Sequence, residues 1–175
     1  LIAYLMGLSI GVHLLNLLCI PAIVLVYYYK KFPNPTMKGT LIALLVSFAI
    51  VGLMMYGVVQ GLVEVCGYFE LLFVNTFGMP YNSGVYAFVI ILAASLIWAI
   101  WETMQDEIHP VRMKISFILS IVLLGIPFIG SGYVIAVILT AALTAYLFMS
   151  KKVNIKMLNT ILVCLMVIVV GYSSY

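Results

Sequence analysis

Charged side chains are scarce in this chain of 175 residues. It has 8 Lys and Arg and 5 Asp and Glu, which makes 7% charged residues against 66% hydrophobic ones, and its mean hydropathy is +1.29. An ordinary soluble domain is about a quarter charged and about half apolar, so this composition excludes a soluble globular fold. The net charge of +3 comes from a few loop cations and indicates no nucleic-acid partner. The composition predicts an integral membrane protein.

The chain also lacks the common catalytic and metal-binding motifs. It contains no HExxH, Walker or GxSxG sequence and no cluster of Cys and His at ligand spacing. Its three cysteines, Cys19, Cys66 and Cys164, lie in or near apolar segments without CxxC spacing. Cysteines in such places are mostly small packing residues. We therefore expect no metal site and identify no cofactor.

Six apolar segments follow one another, and each is continuous rather than alternating. Backbone groups in lipid need internal partners, so continuous apolar runs predict transmembrane helices. The stretch 115–149 is too long for one span, and we expect it to break at the GSG sequence at 130–132. The sequence thus predicts an all-α, polytopic bundle of about six spans. They run to about residue 29, over 39–59 and 84–102, over the two halves of 115–149, and from 155 onward.

The cations all fall on one side of this six-span arrangement. Loops on the cytoplasmic side of a membrane protein carry an excess of Lys and Arg. Residues 30–39, 102–114 and 150–156 are therefore predicted to be cytoplasmic, and residues 60–84 extracytoplasmic. The eight cations are Lys30, Lys31, Lys38, Arg112, Lys114, Lys151, Lys152 and Lys156.

The segment 60–84 is the one extended connection on the predicted outer side. Its apolar residues recur at three- and four-residue steps, as on one face of a helix. This pattern predicts a short interfacial helix along the membrane surface, ended by the turn-forming sequence GMPYNSG. The recurring residues are Leu62, Cys66, Phe69, Phe73 and Phe77.

This segment also holds Glu64 and Glu70, the two carboxylates predicted to lie outside the cytoplasm. One interpretation is that both are hydrated acids at the level of the lipid headgroups. The other is that one of them acts as an acid, a base or a ligand near a site that faces lipid. The spacing of the two residues leaves both interpretations open.

His13 and Asn16 are polar residues inside the first apolar run, GLSIGVHLLNLLCIPA. Residues three apart on a helix share a face, so the pair is expected to point the same way, in the outer half of the membrane. Polar side chains in lipid either hydrogen-bond to a neighbouring helix or line a site. A protonatable imidazole at that depth suits a phosphate group.

Two patterns resemble a known family. They are G-x-H-x-L-N at Gly11, His13, Leu15 and Asn16, and E-x4-N-x4-P-x-N at Glu70, Asn75, Pro80 and Asn82. Together with the flanking sequence they resemble bacterial multi-pass membrane proteins of formerly unknown function. Those proteins are related to the eukaryotic transmembrane protein O-mannosyltransferase and are placed in the GT-C class of glycosyltransferases. The resemblance extends over essentially the whole chain.

The resemblance implies a function and a setting. Such an enzyme transfers a sugar, here mannose or a similar hexose, from a polyprenyl-phosphate donor to Ser or Thr of exported proteins. It would act on the outer side of the bacterial inner membrane, with membrane lipids, the lipid-linked donor and the exported acceptor as partners. The substrate-binding residues that we expect are His13, Asn16, Glu64, Glu70, Asn75 and Asn82.

The resemblance also implies that residues 1–175 form one partial transmembrane domain. The family's catalytic carboxylate lies in a loop between N-terminal helices, and a soluble region follows the membrane part. Both are expected outside this chain, so no catalytic residue is assigned within it. Two alternatives remain open: a transporter or flippase for a lipid-linked substrate, and a non-catalytic membrane scaffold.

Overall fold

The computed structural model describes residues 1–107, 109–128, 133–150 and 153–173. Within these ranges all regular structure is helical, which confirms the all-α prediction. The α-helices are α1 (Ile2–Val12), α2 (Cys19–Lys31), α3 (Met37–Gly52), α4 (Gly61–Leu71), α5 (Ser83–Met104), α6 (Pro110–Leu123), α7 (Tyr133–Met149) and α8 (Ile155–Ser173). A 3₁₀-helix covers Leu14–Leu18, and π-helical turns cover Leu53–Gln60 and Leu72–Thr76.

Several of these helices fit an integral membrane protein. In the described part of the chain, four helical runs are long and apolar enough to cross a bilayer. The predicted fourth and fifth spans correspond to α6 and α7, which have 14 and 17 residues. A crossing takes about 20 residues, so the count of six spans stays a prediction. The four runs are Leu14–Lys31, Met37–Thr76, Ser83–Met104 and Ile155–Ser173.

The first predicted span is not one continuous helix. Helix α1 ends at Val12, His13 is extended with φ −154° and ψ 119°, and the chain resumes as the 3₁₀-helix before α2 begins. The expectation that His13 and Asn16 share one face of a regular helix is therefore wrong. The polar side chains at the break hydrogen-bond to local backbone groups, which makes the interruption tolerable in an apolar setting.

The predicted short interfacial helix is also wrong as a separate element. Helical residues run without interruption from Met37 to Thr76, so most of segment 60–84 continues the second helix. No proline lies between Pro35 and Pro80 to stop it. The two π-helical turns change the winding of the helix without ending it. Only the turn before α5 is non-helical in this segment.

The break between α6 and α7 begins earlier than the sequence indicates. Helix α6 ends at Leu123, and Gly125 follows with φ +77°, a backbone conformation that favours glycine. Pro127 lies two residues further on and cannot continue a helix. The GSG sequence at 130–132 lies outside the described residues, as do Lys151 and Lys152.

The chain forms two compact units. The first comprises Leu1–Met55 and the end of α8 from Val167. Within it α2 packs on α3, and the Tyr29 and Thr40 hydroxyl oxygens lie 3.2 Å apart. Helix α1 crosses the end of α8 so closely that a Cβ on Gly171 would lie 2.6 Å from the Tyr4 carbonyl oxygen. Thus backbone meets backbone where these two helices cross.

The second unit comprises Tyr56–Met166, and α5 packs against both α4 and α6. Its core includes the buried side chains of Phe88, Ala99 and Leu124. The backbones of Gly61 and Gly125 touch where α4 meets the turn after α6. This unit carries four of the six predicted site residues.

Candidate functional site

The break in the first apolar run is built by two side chains. His13 Nδ1 accepts a hydrogen bond of 3.2 Å from the backbone N–H of Leu15. The Asn16 side-chain amide donates a bond of 2.8 Å to the carbonyl oxygen of Ser9, which also accepts from the N–H of His13. Both bonds lie within one chain segment. Among the described residues, the Asn16 amide thus bonds within its own segment and not to a neighbouring helix.

These hydrogen bonds determine which donors and acceptors at the break remain free to bind a ligand. Because Nδ1 of His13 accepts a bond, a neutral imidazole carries its proton on Nε2 and offers an N–H donor there. The His13 side chain is exposed. Asn16 lines a shallow pocket of about 260 Å³ together with Ser9 and Cys19. The break therefore presents a donor and a small recess within the first unit.

Glu70 holds the start of α5. Its Oε1 accepts the backbone N–H of Asn82 at 2.6 Å, and its Oε2 accepts those of Gly84 at 2.9 Å and Val85 at 3.2 Å. A carboxylate is stabilised at a helix N-terminus by the unpaired N–H groups and by the helix dipole. Asn82 has φ +69°, which turns the chain into α5. Both oxygens of Glu70 are thus occupied by the backbone.

Asn75 and Asn82, the asparagines of the E-x4-N-x4-P-x-N pattern, lie in different local structures. Asn75 lies in the π-helical turn Leu72–Thr76, and its side chain is exposed. Asn82 is also exposed, and it reaches Glu70 through its backbone. In the described ranges neither side-chain amide has a hydrogen-bond partner. The structure thus joins Glu70 to Asn82 and leaves both amides open to the surroundings.

Glu64 lies in an aromatic cluster that the sequence analysis missed. Its Oε1 accepts a bond of 2.6 Å from the Tyr68 hydroxyl. The ring centroid of Tyr68 lies 5.4 Å from that of Tyr133 and 6.2 Å from that of Phe128. The sequence indicates the contact of Glu64 with Tyr68, because residues four apart on a helix lie side by side. The other two rings come from across the α6–α7 turn, and no local pattern indicates them.

An apolar groove of about 680 Å³ begins at this cluster and follows α7. Phe128 and Tyr133 belong to both the cluster and the groove. Small side chains of α7 form most of its floor. The lining residues are Val122, Phe128, Tyr133, Ala136, Val137, Thr140, Ala141, Thr144 and Ala145.

A second polar group, also missed by the sequence analysis, joins α5 to α6. Glu102 is 2% exposed, and its Oε1 accepts bonds from Arg112 Nη2 at 2.8 Å and from Trp98 Nε1 at 2.9 Å. Next to it the side-chain amide of Asn159 donates to the Thr103 hydroxyl at 2.8 Å. The i, i+4 spacing of Trp98 and Glu102 is the one signal in the sequence.

The predicted site residues thus fall into two groups. His13 and Asn16 belong to the first unit, whereas Glu64, Glu70, Asn75 and Asn82 belong to the second. Within the described part of the chain no three His, Cys, Asp or Glu side chains are grouped as metal ligands. The polar groups present suit hydrogen bonding to a phosphate, a sugar or a lipid headgroup.

Comparison with known proteins relates the start of the chain to a described family. Residues 1–36 match the family described as Protein O-mannosyl-transferase TMEM260 N-terminal domain. The segment is related to that domain. The match includes the G-x-H-x-L-N pattern and the broken helix around it. No curated protein and no solved structure matches the chain.

Proposed function

We propose that this chain is the membrane portion of a GT-C-type glycosyltransferase related to protein O-mannosyltransferases. It transfers a sugar, mannose or a similar hexose, from a polyprenyl-phosphate carrier to Ser or Thr of exported proteins on the outer side of the membrane. The observation that carries the proposal is the match of residues 1–36 to an O-mannosyltransferase domain. Several apolar helices of spanning length suit a donor anchored in lipid.

His13 is the residue best suited to contact the carrier phosphate. Its Nδ1 accepts from the Leu15 N–H, which fixes the ring and leaves Nε2–H as a donor on an exposed side chain. In the transfer, the acceptor hydroxyl loses its proton to a base and attacks the anomeric carbon while the bond to the carrier phosphate breaks. A donor at the phosphate stabilises the negative charge that the leaving group gains.

Glu64 is the better of the two outer carboxylates for a contact with the sugar or the acceptor. Only its Oε1 accepts a hydrogen bond, from Tyr68, among the described residues. Both oxygens of Glu70 are already used in holding α5. The exposed amides of Asn75 and Asn82 add donors and acceptors suited to sugar hydroxyls. No base is assigned among the described residues.

Transfer of radiolabelled sugar from a polyprenyl-phosphate donor to an acceptor protein tests the proposal in membranes that contain the full-length protein. We expect His13→Ala to lower the transfer rate at least about tenfold, which corresponds to about 1.4 kcal/mol of transition-state stabilisation. The matched control is His109→Ala, because His109 is the other histidine and lies in a predicted cytoplasmic loop. Equal rates in the two variants would remove His13 from the site.

The broken helix favours one competing function. Discontinuous helices at membrane depth form substrate sites in many transporters, and α1 is separated from α2 by an extended residue and a 3₁₀-helix. A flippase for a lipid-linked substrate would translocate that lipid across proteoliposomes without transferring the sugar. Translocation without transfer by the full-length protein would replace the glycosyltransferase proposal, whereas transfer without translocation would support it. Neither activity would indicate a membrane scaffold.

A further inference from the structure

The cluster of Glu64, Tyr68, Phe128 and Tyr133 combines an acid with three aromatic rings. The carboxylate accepts a bond of 2.6 Å from the Tyr68 hydroxyl, and the Tyr68 ring centroid lies 5.4 Å from that of Tyr133 and 6.2 Å from that of Phe128. These rings are tilted by 34° and 48° to the Tyr68 ring, so neither pair is a parallel stack. Aromatic faces and a carboxylate are the groups that bind ammonium ions.

The electrostatics of the cluster favour a cationic ligand. Glu64 forms no ion pair within the part of the chain that the structure describes. Among the described cations of the second unit, Arg112 and Lys114 lie at the start of α6, where the Lys114 ammonium lies 5.2 Å from the Phe148 ring centroid near the end of α7. Lys156 lies at the start of α8. The cluster is therefore negative at one end of this helix pair, and a ligand with a positive group complements it.

The groove that begins at the cluster has the length of one lipid leaflet. From Tyr133 to Ala145 it follows α7 for 12 residues, or about 18 Å at 1.5 Å per residue. Half of the hydrocarbon core of a bilayer is about 15 Å thick. The Thr144 hydroxyl in its floor donates to the Thr140 carbonyl oxygen at 2.8 Å, so it needs no partner in the groove. An acyl chain fits this length and this apolar lining.

We infer that the Glu64–Tyr68–Phe128–Tyr133 cluster and the α7 groove together bind a phospholipid with a cationic amine headgroup. The ammonium group of an ethanolamine or choline headgroup lies between Glu64 and the rings, and one acyl chain lies along α7. The predicted topology puts Glu64 about five residues past the outer end of the second span, or about 7.5 Å beyond it, at the level of the headgroups. The glycosyltransferase proposal rests on residues 1–36 and does not require this inference, but an amine lipid bound at Glu64 excludes the sugar contact proposed for that residue.

Lipid binding to the protein purified in detergent tests the inference by native mass spectrometry. The lipids are phosphatidylethanolamine, phosphatidylcholine and phosphatidylglycerol with identical acyl chains. We expect both amine lipids to bind about tenfold more tightly than the glycerol lipid, a ratio that corresponds to about 1.4 kcal/mol. Equal affinities for all three would overturn the inference without any variant being made.

Two variants and a matched control test the headgroup assignment. Glu64→Gln keeps an acceptor for the Tyr68 hydroxyl but removes the charge, so the preference for amine lipids should disappear. Tyr133→Leu should lower amine-lipid binding at least about fivefold by removing one aromatic face. Tyr86→Leu is the matched control, because Tyr86 on α5 is 70% exposed and Tyr133 is 63% exposed. A preference that survives Glu64→Gln would overturn the headgroup assignment.

Ala141→Leu places a larger side chain in the groove. It should weaken the binding of all three lipids by a similar factor, because it obstructs the acyl chain that they share. The oligomeric state of this variant tests the alternative that a second copy of the chain occupies the groove. If Ala141→Leu changes the mass of the protein–detergent complex and leaves lipid binding intact, the groove seats a second copy of the chain. That result would overturn the lipid assignment.

Discussion

The backbone N–H of Asn82 donates to Glu70 Oε1 across 12 positions of sequence, at 2.6 Å. Two further N–H groups at the start of α5 bind the other oxygen of the same carboxylate. Glu70 therefore closes the turn between the long second helix and α5. A residue that the sequence suggested as a substrate ligand is engaged in holding two helices together.

Glu70→Gln should destabilise the second unit. An amide has one acceptor oxygen and no charge, so at least one bond is lost and the others weaken, at a cost of about 1–3 kcal/mol. Thermal unfolding in detergent measures the loss, and hydrogen exchange should quicken at the amides of Asn82, Gly84 and Val85. Asn75→Ala is the control, because that exposed side chain is unpaired among the described residues. Unchanged exchange in Glu70→Gln would refute the anchoring role.

Two glycines of α4 should respond oppositely to alanine. A Cβ on Gly61 would collide with the backbone of Gly125, whereas a Cβ on Gly67 would meet nothing within 4 Å. Gly61→Ala should therefore lower stability by about 1–3 kcal/mol through overpacking. Gly67→Ala should raise stability by up to about 1 kcal/mol, since alanine favours a helix. Thermal unfolding of both variants in one detergent gives the comparison, and equal effects would contradict the close approach.

The two partners of the Glu102–Arg112 ion pair should differ in the stability that is lost when each is replaced. Glu102 is 2% exposed and Arg112 is 61% exposed, so removal of the arginine leaves a charge buried, while removal of the acid leaves a charge that water reaches. Breaking a fully buried pair costs about 3–5 kcal/mol, and the exposure of Arg112 reduces this. Arg112→Met should thus be less stable than Glu102→Gln in thermal unfolding. If Glu102→Gln were the less stable variant, the hydrogen bond from Trp98 would suffice to stabilise the Glu102 carboxylate without Arg112.

The sequence predicts the simplest helices well. Helix α5 was expected at 84–102 and occupies Ser83–Met104, and α8 begins at the predicted residue, Ile155. Long apolar runs bounded by polar or turn-forming residues carry this information locally. The continuous helix from Met37 to Thr76 was missed because its length exceeds one crossing, and length alone suggested a separate surface element.

The features of the candidate site are less predictable because their partners are distant or belong to the backbone. The break at His13 has no proline, and its apolar neighbours match an uninterrupted helix. Glu70 binds backbone N–H groups, which every residue carries, so no pattern of side chains indicates the contact. Tyr133 lies 65 positions after Tyr68 in the sequence, and the two rings meet only because the fold brings α7 to α4. Such contacts depend on the tertiary fold.

The orientation of the chain can be tested with single cysteines on a background in which Cys19, Cys66 and Cys164 are replaced by serine. Tyr81→Cys lies in the turn before α5 and Glu107→Cys in the loop after it, and both positions are exposed. The distribution of Lys and Arg predicts that Tyr81→Cys reacts with a membrane-impermeant maleimide in intact cells. Glu107→Cys should react only after the membrane is permeabilised. Its labelling in permeabilised cells shows that the thiol itself is reactive. Labelling of Glu107→Cys from outside intact cells would invert the orientation and would place Glu64 and Glu70 on the cytoplasmic side.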